Sequence, residues 1–241
     1  MTTTLTYAAF LLLFVVAPIF GLSVASWRRG LPLPREGLVP TVLMVVVALA
    51  YTTPWDNYLI GQGVWWYGQG AVVLTIGLAP LEEYLFMAFQ PVLAALWFYT
   101  LRWPPVHPEE PLPRRARLVG TVGWLVLAAL GAAALTVPST YYLGAILAWA
   151  APVLALQWAV GGHYLWAARR DLAPVVAFPV AYLWAVDWYA IRLGIWTISP
   201  DHTTGLGLFG LPVEEMLFFL VTTLLVVQGI VLYHWVVDRW L

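Results

Sequence analysis

Long apolar stretches alternate with short polar intervals along the chain, and seven of them approach the ~20 residues that an α-helix needs to cross a bilayer core. They lie at roughly 5–27, 38–54, 77–101, 118–137, 142–163, 173–190 and 208–233. The pattern predicts an all-α polytopic membrane protein of about seven transmembrane helices. Its arginines orient it. Arg28, Arg29 and Arg35 fall between spans one and two, Arg102, Arg114, Arg115 and Arg117 between three and four, Arg169 and Arg170 between five and six, and Arg239 after span seven. These intervals share one side, which the positive-inside rule makes cytoplasmic. The N-terminus is then outside and the C-terminus cytoplasmic, in a multi-pass protein of the cell membrane. Arg192 alone is expected outside, as an ion-pair partner of Asp187 or an anchor at a helix end. The first span has no basic leader and runs into Trp27-Arg28-Arg29, so it reads as a retained anchor. The proline-rich segment 102–117 is the one expected linker.

The apolar pattern repeats. Pro80-Leu81-Glu82-Glu83 recurs as Pro212-Val213-Glu214-Glu215 at an offset of 132, and Asp56, Tyr58 and Trp65 recur as Asp187, Tyr189 and Trp196 at an offset of 131. Each repeat holds three spans: residues 1–103 form the first and 141–241 the second, with a cytoplasmic linker and a connecting span at 104–140. Three spans reverse the side on which a chain emerges, and one added span restores it. The two repeats are therefore parallel, related by an axis along the membrane normal.

Composition sharpens the picture by exclusion. At 62% hydrophobic residues, 10% charged residues and a mean hydropathy of +0.84, the chain is not a soluble domain. A net charge of −1 with scattered arginines offers no basic face, so nucleic acid is not a partner. There is no cysteine, hence no disulfide, thiolate metal site or iron–sulfur cluster. All eleven basic residues are arginine, which leaves no lysine for a Schiff base with retinal or pyridoxal phosphate. Gly205-Leu206-Gly207-Leu208-Phe209-Gly210 fits a dinucleotide-binding pattern but follows no strand, and reads better as a flexible lead into span seven. His107, His163, His202 and His234 have no ligand-like spacing, so no metal is expected.

What remains is acidic and aromatic. Asp56, Glu82, Glu83, Asp187, Asp201, Glu214 and Glu215 lie towards the outer ends of the spans, and ionisable groups at membrane depth are expensive and commonly functional. A Pro-x-Glu-Glu also suits the first turn of a helix, where carboxylates meet the positive end of the dipole. Two copies, each with an aspartate upstream, favour a shared pocket built from both repeats. Neighbouring helical residues point about 100° apart, so the glutamates of a pair differ in role. Glu82 shares a face with Phe86 and Phe89, and Glu214 with Leu217 and Phe218. This predicts that Glu82 or Glu214 is the protonated general acid. Trp65, Trp66, Phe86, Trp188, Tyr189, Trp196 and Phe218 lie near the acids and are candidates to stabilise a carbocation, at up to about 2 kcal/mol each.

The doubled Pro-x-Glu-Glu, each preceded by an Asp and a Trp, resembles the twin signature of the membrane-integral lycopene cyclases, in the form that fuses two repeats in one chain. The resemblance covers essentially the whole sequence. It implies conversion of the acyclic ψ-ends of lycopene to β-rings through γ-carotene, with Glu82, Glu83, Glu214 and Glu215 as catalytic residues and Asp56 and Asp187 beside them. Lycopene and γ-carotene would come from the lipid phase, and membrane lipid would be the surrounding partner. No net redox occurs, so no cofactor is expected from stoichiometry, although a reduced flavin or nicotinamide in another role is left open, as is the oligomeric state. A carotenoid hydratase, a cyclase of another ring type, a proton-coupled transporter and a pigment-binding protein are the alternatives.

Overall fold

The structure, a computed structural model, describes residues 5–29, 35–101 and 114–240. The segment 102–113, which includes Arg102, His107 and most of the expected linker, lies outside the described residues. Span one is a helix in three parts, α1 (Tyr7–Leu11), a π-helical turn (Leu12–Val16) and α2 (Ala17–Arg28). The break has a local cause. Pro18 has no N–H for the carbonyl of Phe14, four residues back, and that carbonyl instead accepts from the Tyr182 hydroxyl at 2.7 Å. Then come α3 (Arg35–Gly61), α4 (Leu81–Thr100), α5 (Arg114–Ala134), α6 (Tyr141–Leu193) and α7 (Val213–Trp240).

Among the described residues, five helical stretches are long and apolar enough to cross a membrane. The chain is thus an all-α polytopic membrane protein, but the expected seven spans do not appear as seven separate helices. Expected span three is α4, whose 20 residues carry Glu82, Glu83 and Gln90 and so fall short in apolarity. Expected spans five and six are both contained in α6, which is helical through Arg169, Arg170 and Asp171 where an inter-span loop is predicted. Only Gly161 departs from helical geometry, at φ −139° and ψ 26°. A straight helix would put Tyr142 and Asp187 about 68 Å apart at 1.5 Å per residue, yet both line one cavity. The chain therefore folds back at Gly161, and α6 has two limbs.

Close packing of α5 on the first limb of α6 depends on missing side chains. A Cβ at Gly144 would meet the Gly131 carbonyl oxygen at 2.7 Å, and one at Gly131 would meet Leu147 at 2.6 Å. A core of Ala94, Ala95, Phe98, Tyr164, Val227 and Ile230 fills one half of the bundle. The other half is hollow.

Above the hollow, the loops carry short strands that the apolar pattern does not predict. β1 (Trp65–Tyr67) pairs antiparallel with β4 (Trp196–Ile198), with Trp66 opposite Thr197. Positions 66 and 197 are 131 apart, the offset of the repeat, so equivalent segments of the two repeats pair across a local two-fold axis. Two hairpins repeat in the same register: β2 (Thr75–Ile76) with β3 (Ala79–Pro80), and β5 (Gly207–Leu208) with β6 (Leu211–Pro212). The stretch 205–210 is thus largely an ordered hairpin and not a loose lead into α7. Each hairpin places a Pro-x-Glu-Glu at the head of its helix.

Candidate active site

Four carboxyl groups come together at the end of the hollow that lies beneath the short strands. Asp56 arrives from α3, Glu83 from the first turn of α4, Asp187 from the second limb of α6 and Glu215 from the first turn of α7. Asp56, Asp187 and Glu215 are 4%, 1% and 5% exposed. No basic side chain is among the lining residues. The repeats contribute equivalent sets, each with its own phenol. Tyr142 donates to Glu215 at 2.8 Å, and Tyr67 donates to Glu83 at 2.9 Å while accepting from the Trp65 indole at 3.1 Å. The Tyr7 hydroxyl also pairs with Glu83. Trp196 donates to Asp187 at 2.9 Å. Burial and then the adjacent Glu83 push the Tyr67 phenol above its ordinary range, which keeps it a donor.

Glu82 and Glu214 are not in this set. They are 2% and 0% exposed, but they sit behind the cavity wall and hold the preceding loops. Glu82 accepts from the Val73 amide at 3.0 Å, and Glu214 accepts from the Thr204 amide at 2.7 Å and its hydroxyl at 2.8 Å. The expected placing of the first glutamate of each pair on the cavity face is therefore not observed: the second glutamate lines the cavity instead. Each hairpin brings its loop back over the helix start, so the first glutamate meets backbone donors and the second turns towards the opposite repeat.

The aromatic candidates divide similarly. Trp65, Phe86, Trp196 and Phe218 line the cavity. Trp66 is 48% exposed and Tyr189 40% exposed on the outside. Trp188 also lies outside the lining, donating to the Phe209 carbonyl at 3.0 Å beneath the Arg192 guanidinium, which stands 4.5 Å above its ring. Arg192 is thus an anchor in the last turn of α6 and does not form the considered ion pair with Asp187. Tyr7, Tyr142 and Trp149 join the site unforeseen. Tyr7 and Tyr142 match at a spacing of 135, a faint repeat signal in spans that otherwise align loosely.

From the carboxyls the cavity runs along the bundle. Its α3 wall extends from Asp56 to Met44, about 18 Å at helical rise, and its α7 wall from Glu215 to Val226, about 16 Å. The cavity volume is about 180 Å³. The walls are apolar and aromatic apart from Thr52, Gln90, Gln157 and Thr222. Such a lining suits an apolar molecule. Among the described residues no cluster of three histidines or acids is arranged to hold a metal ion.

Comparison with known proteins identifies the family. The family model described as lycopene cyclase matches residues 2–101 and 127–236. A lycopene beta-cyclase of Halobacterium salinarum is 46% identical over 98% of this chain and 99% of its own length. Bifunctional lycopene cyclase/phytoene synthases of Sporisorium reilianum and Neurospora crassa are 38% and 37% identical over 78% and 82% of this chain, which corresponds to 29% and 35% of those longer proteins. No solved structure matches. The chain belongs to the lycopene cyclase family.

Proposed function

We propose that the protein closes the acyclic ends of lycopene to β-rings, giving γ-carotene and then β-carotene. The observation that carries this reading is the convergence of four carboxyls, two from each repeat, on the closed end of one long apolar cavity. Ring closure adds a proton to the terminal double bond, joins the resulting cation to the neighbouring double bond, and removes a proton from the new ring. It is an isomerisation and consumes no oxidant or reductant, so no redox cofactor enters the proposal. A protonated carboxyl from one repeat supplies the proton and a carboxylate from the other accepts the ring proton. Glu83 and Glu215 are the pair we assign to these steps, with Asp56 and Asp187 beside them as proton partners. The rings of Trp55, Trp65, Trp196 and Phe218 face the intermediate, where a cation is stabilised and water, which would trap it as an alcohol, is kept away.

In this proposal residues 1–103 and 141–241 are the two repeats, 104–140 connects them, the N-terminus is outside and the carboxyl end of the cavity lies near the outer leaflet. Lycopene arrives from the lipid. The test is chromatography of pigments from lycopene-accumulating cells that express the chain. Monocyclic and bicyclic products are expected; unchanged lycopene beside folded, membrane-inserted protein overturns the function, and a hydroxylated product changes it to a hydratase.

A further inference from the structure

A cavity for a hydrocarbon needs a mouth that faces lipid, and two seams in the bundle are equivalent by the repeat. In one, between α3 and the first limb of α6, the Tyr51 hydroxyl donates to the Trp149 carbonyl at 2.9 Å. In the other, between the second limb of α6 and span one, Tyr182 donates to the Phe14 carbonyl at 2.7 Å. Tyr51 and Tyr182 are 131 apart, the offset of the repeat. The seams differ in what stands behind the latch. Behind Tyr182, Phe14 packs on Phe10 at 4.8 Å and on Tyr189 at 5.6 Å, and neither Tyr182 nor Phe14 reaches the cavity. At the first seam, Tyr51 and Val47 both line the cavity and are 40% and 46% exposed on the outer surface of the bundle. No other lining residue is exposed to that degree.

A rail of rings leads inward from there. Tyr51 stacks on Trp149 at 5.5 Å and 17°, Trp149 on Trp55 at 4.6 Å and 22°, and Trp55 on Phe218 at 5.8 Å and 2°. The last two rings stand beside the carboxyls, since Trp55 directly precedes Asp56. Tyr51 is ten residues from the end of α3, about 15 Å, which puts the seam well inside the hydrocarbon of a bilayer ~30 Å thick.

We infer that the seam between α3 and the first limb of α6 is the portal through which a linear polyene hydrocarbon passes from lipid to the carboxyls, with Tyr51 as its latch and the Tyr51–Trp149–Trp55–Phe218 stack as its guide. The twin seam stays shut. With one portal and one cavity of about 18 Å along α3, one end of the substrate is seated while the rest remains in lipid. The half-cyclised product must back out and turn before its second end is closed.

This inference rests on the ring-closing function proposed above, and one set of strains separates the two. Lycopene-accumulating cells express the parent, Val47→Trp, or Val46→Trp, the last at a position 56% exposed on the same helix and outside the cavity lining. An inactive parent overturns the function. With an active parent, Val47→Trp is expected to cut ring formation about tenfold and raise the monocyclic share of product, while Val46→Trp matches the parent at equal membrane abundance. Equal activity of the two tryptophan variants overturns the portal. If Val47→Trp fails to accumulate, Tyr51→Phe in proteoliposomes decides: it keeps the ring and removes the latch, so kcat/KM is expected to rise about twofold with the single-turnover rate of ring closure unchanged. Any other outcome overturns the portal.

Discussion

Glu82 and Glu83 are neighbours in the chain, yet one meets a backbone amide behind the wall and the other meets two phenols in the cavity. The same division separates Glu214 from Glu215. Substitution should therefore sort the four by phenotype. Glu83→Gln and Glu215→Gln keep shape and hydrogen-bond capacity and lose the proton chemistry, so each is expected to lower ring formation by about 10²–10⁴-fold at near-parent membrane abundance. Glu82→Gln and Glu214→Gln weaken a hydrogen bond to a loop, worth about 0.5–1.5 kcal/mol, and are expected to act mainly on thermal stability and abundance. Pigment yield divided by protein abundance separates the two classes. Tyr142→Phe removes the single phenol that holds Glu215 and is expected to reduce turnover about tenfold, with substrate affinity little changed, in steady-state kinetics. That acids of both repeats share one pocket was legible from two copies of Pro-x-Glu-Glu, each with an upstream aspartate. Which glutamate of a pair faces the cavity was not. A helical wheel says that adjacent residues diverge, but the returning loop, a tertiary feature, decides which side is the cavity.

At the scale of elements, the hairpins set the depth and angle of the glutamates, and their turns leave little tolerance. Gly77 sits at φ 69°, and a Cβ there would also meet the Asn57 side-chain oxygen at 2.6 Å. That oxygen accepts from the Leu78 and Ala79 amides at 2.8 and 3.3 Å, tying the hairpin to α3 one residue beyond Asp56. Gly77→Ala is thus expected to cost at least about 1–2 kcal/mol, seen as a lower thermal midpoint of purified protein, and to reduce ring closure by displacing Glu83 from Asp56. Helices were readable because a bilayer demands long apolar runs. The β1–β4 ribbon was not: its three-residue strands carry no hairpin signal and pair across more than a hundred residues. The boundary between spans five and six also moved unforeseen, from the arginines to Gly161. The run around Arg169 and Arg170 is rich in alanine, leucine and arginine, all strong helix formers, so two charges did not end the helix.

For the whole molecule, the repeat explains why one chain holds a complete site. Equivalent segments face each other across the β1–β4 ribbon, and beneath it each repeat supplies an aspartate, a glutamate and phenol donors to a single cavity. Both repeats are needed to line it, since Asp56 and Glu83 come from the first and Asp187 and Glu215 from the second. A site made within one chain has a genetic signature. If Glu83→Gln and Glu215→Gln chains are produced together in one lycopene-accumulating membrane, each cavity still lacks one member of its pair. The expected result is that cyclisation stays at the level of the single variants whatever the ratio of the two chains. A site shared between two chains would instead assemble some intact cavities from the unmodified halves, reaching up to about a quarter of parent activity for random pairing in a symmetric dimer. Pigment ratios measured as the two expression levels are varied distinguish these arrangements, and recovery above the single variants would mean that the carboxyls act across a subunit boundary.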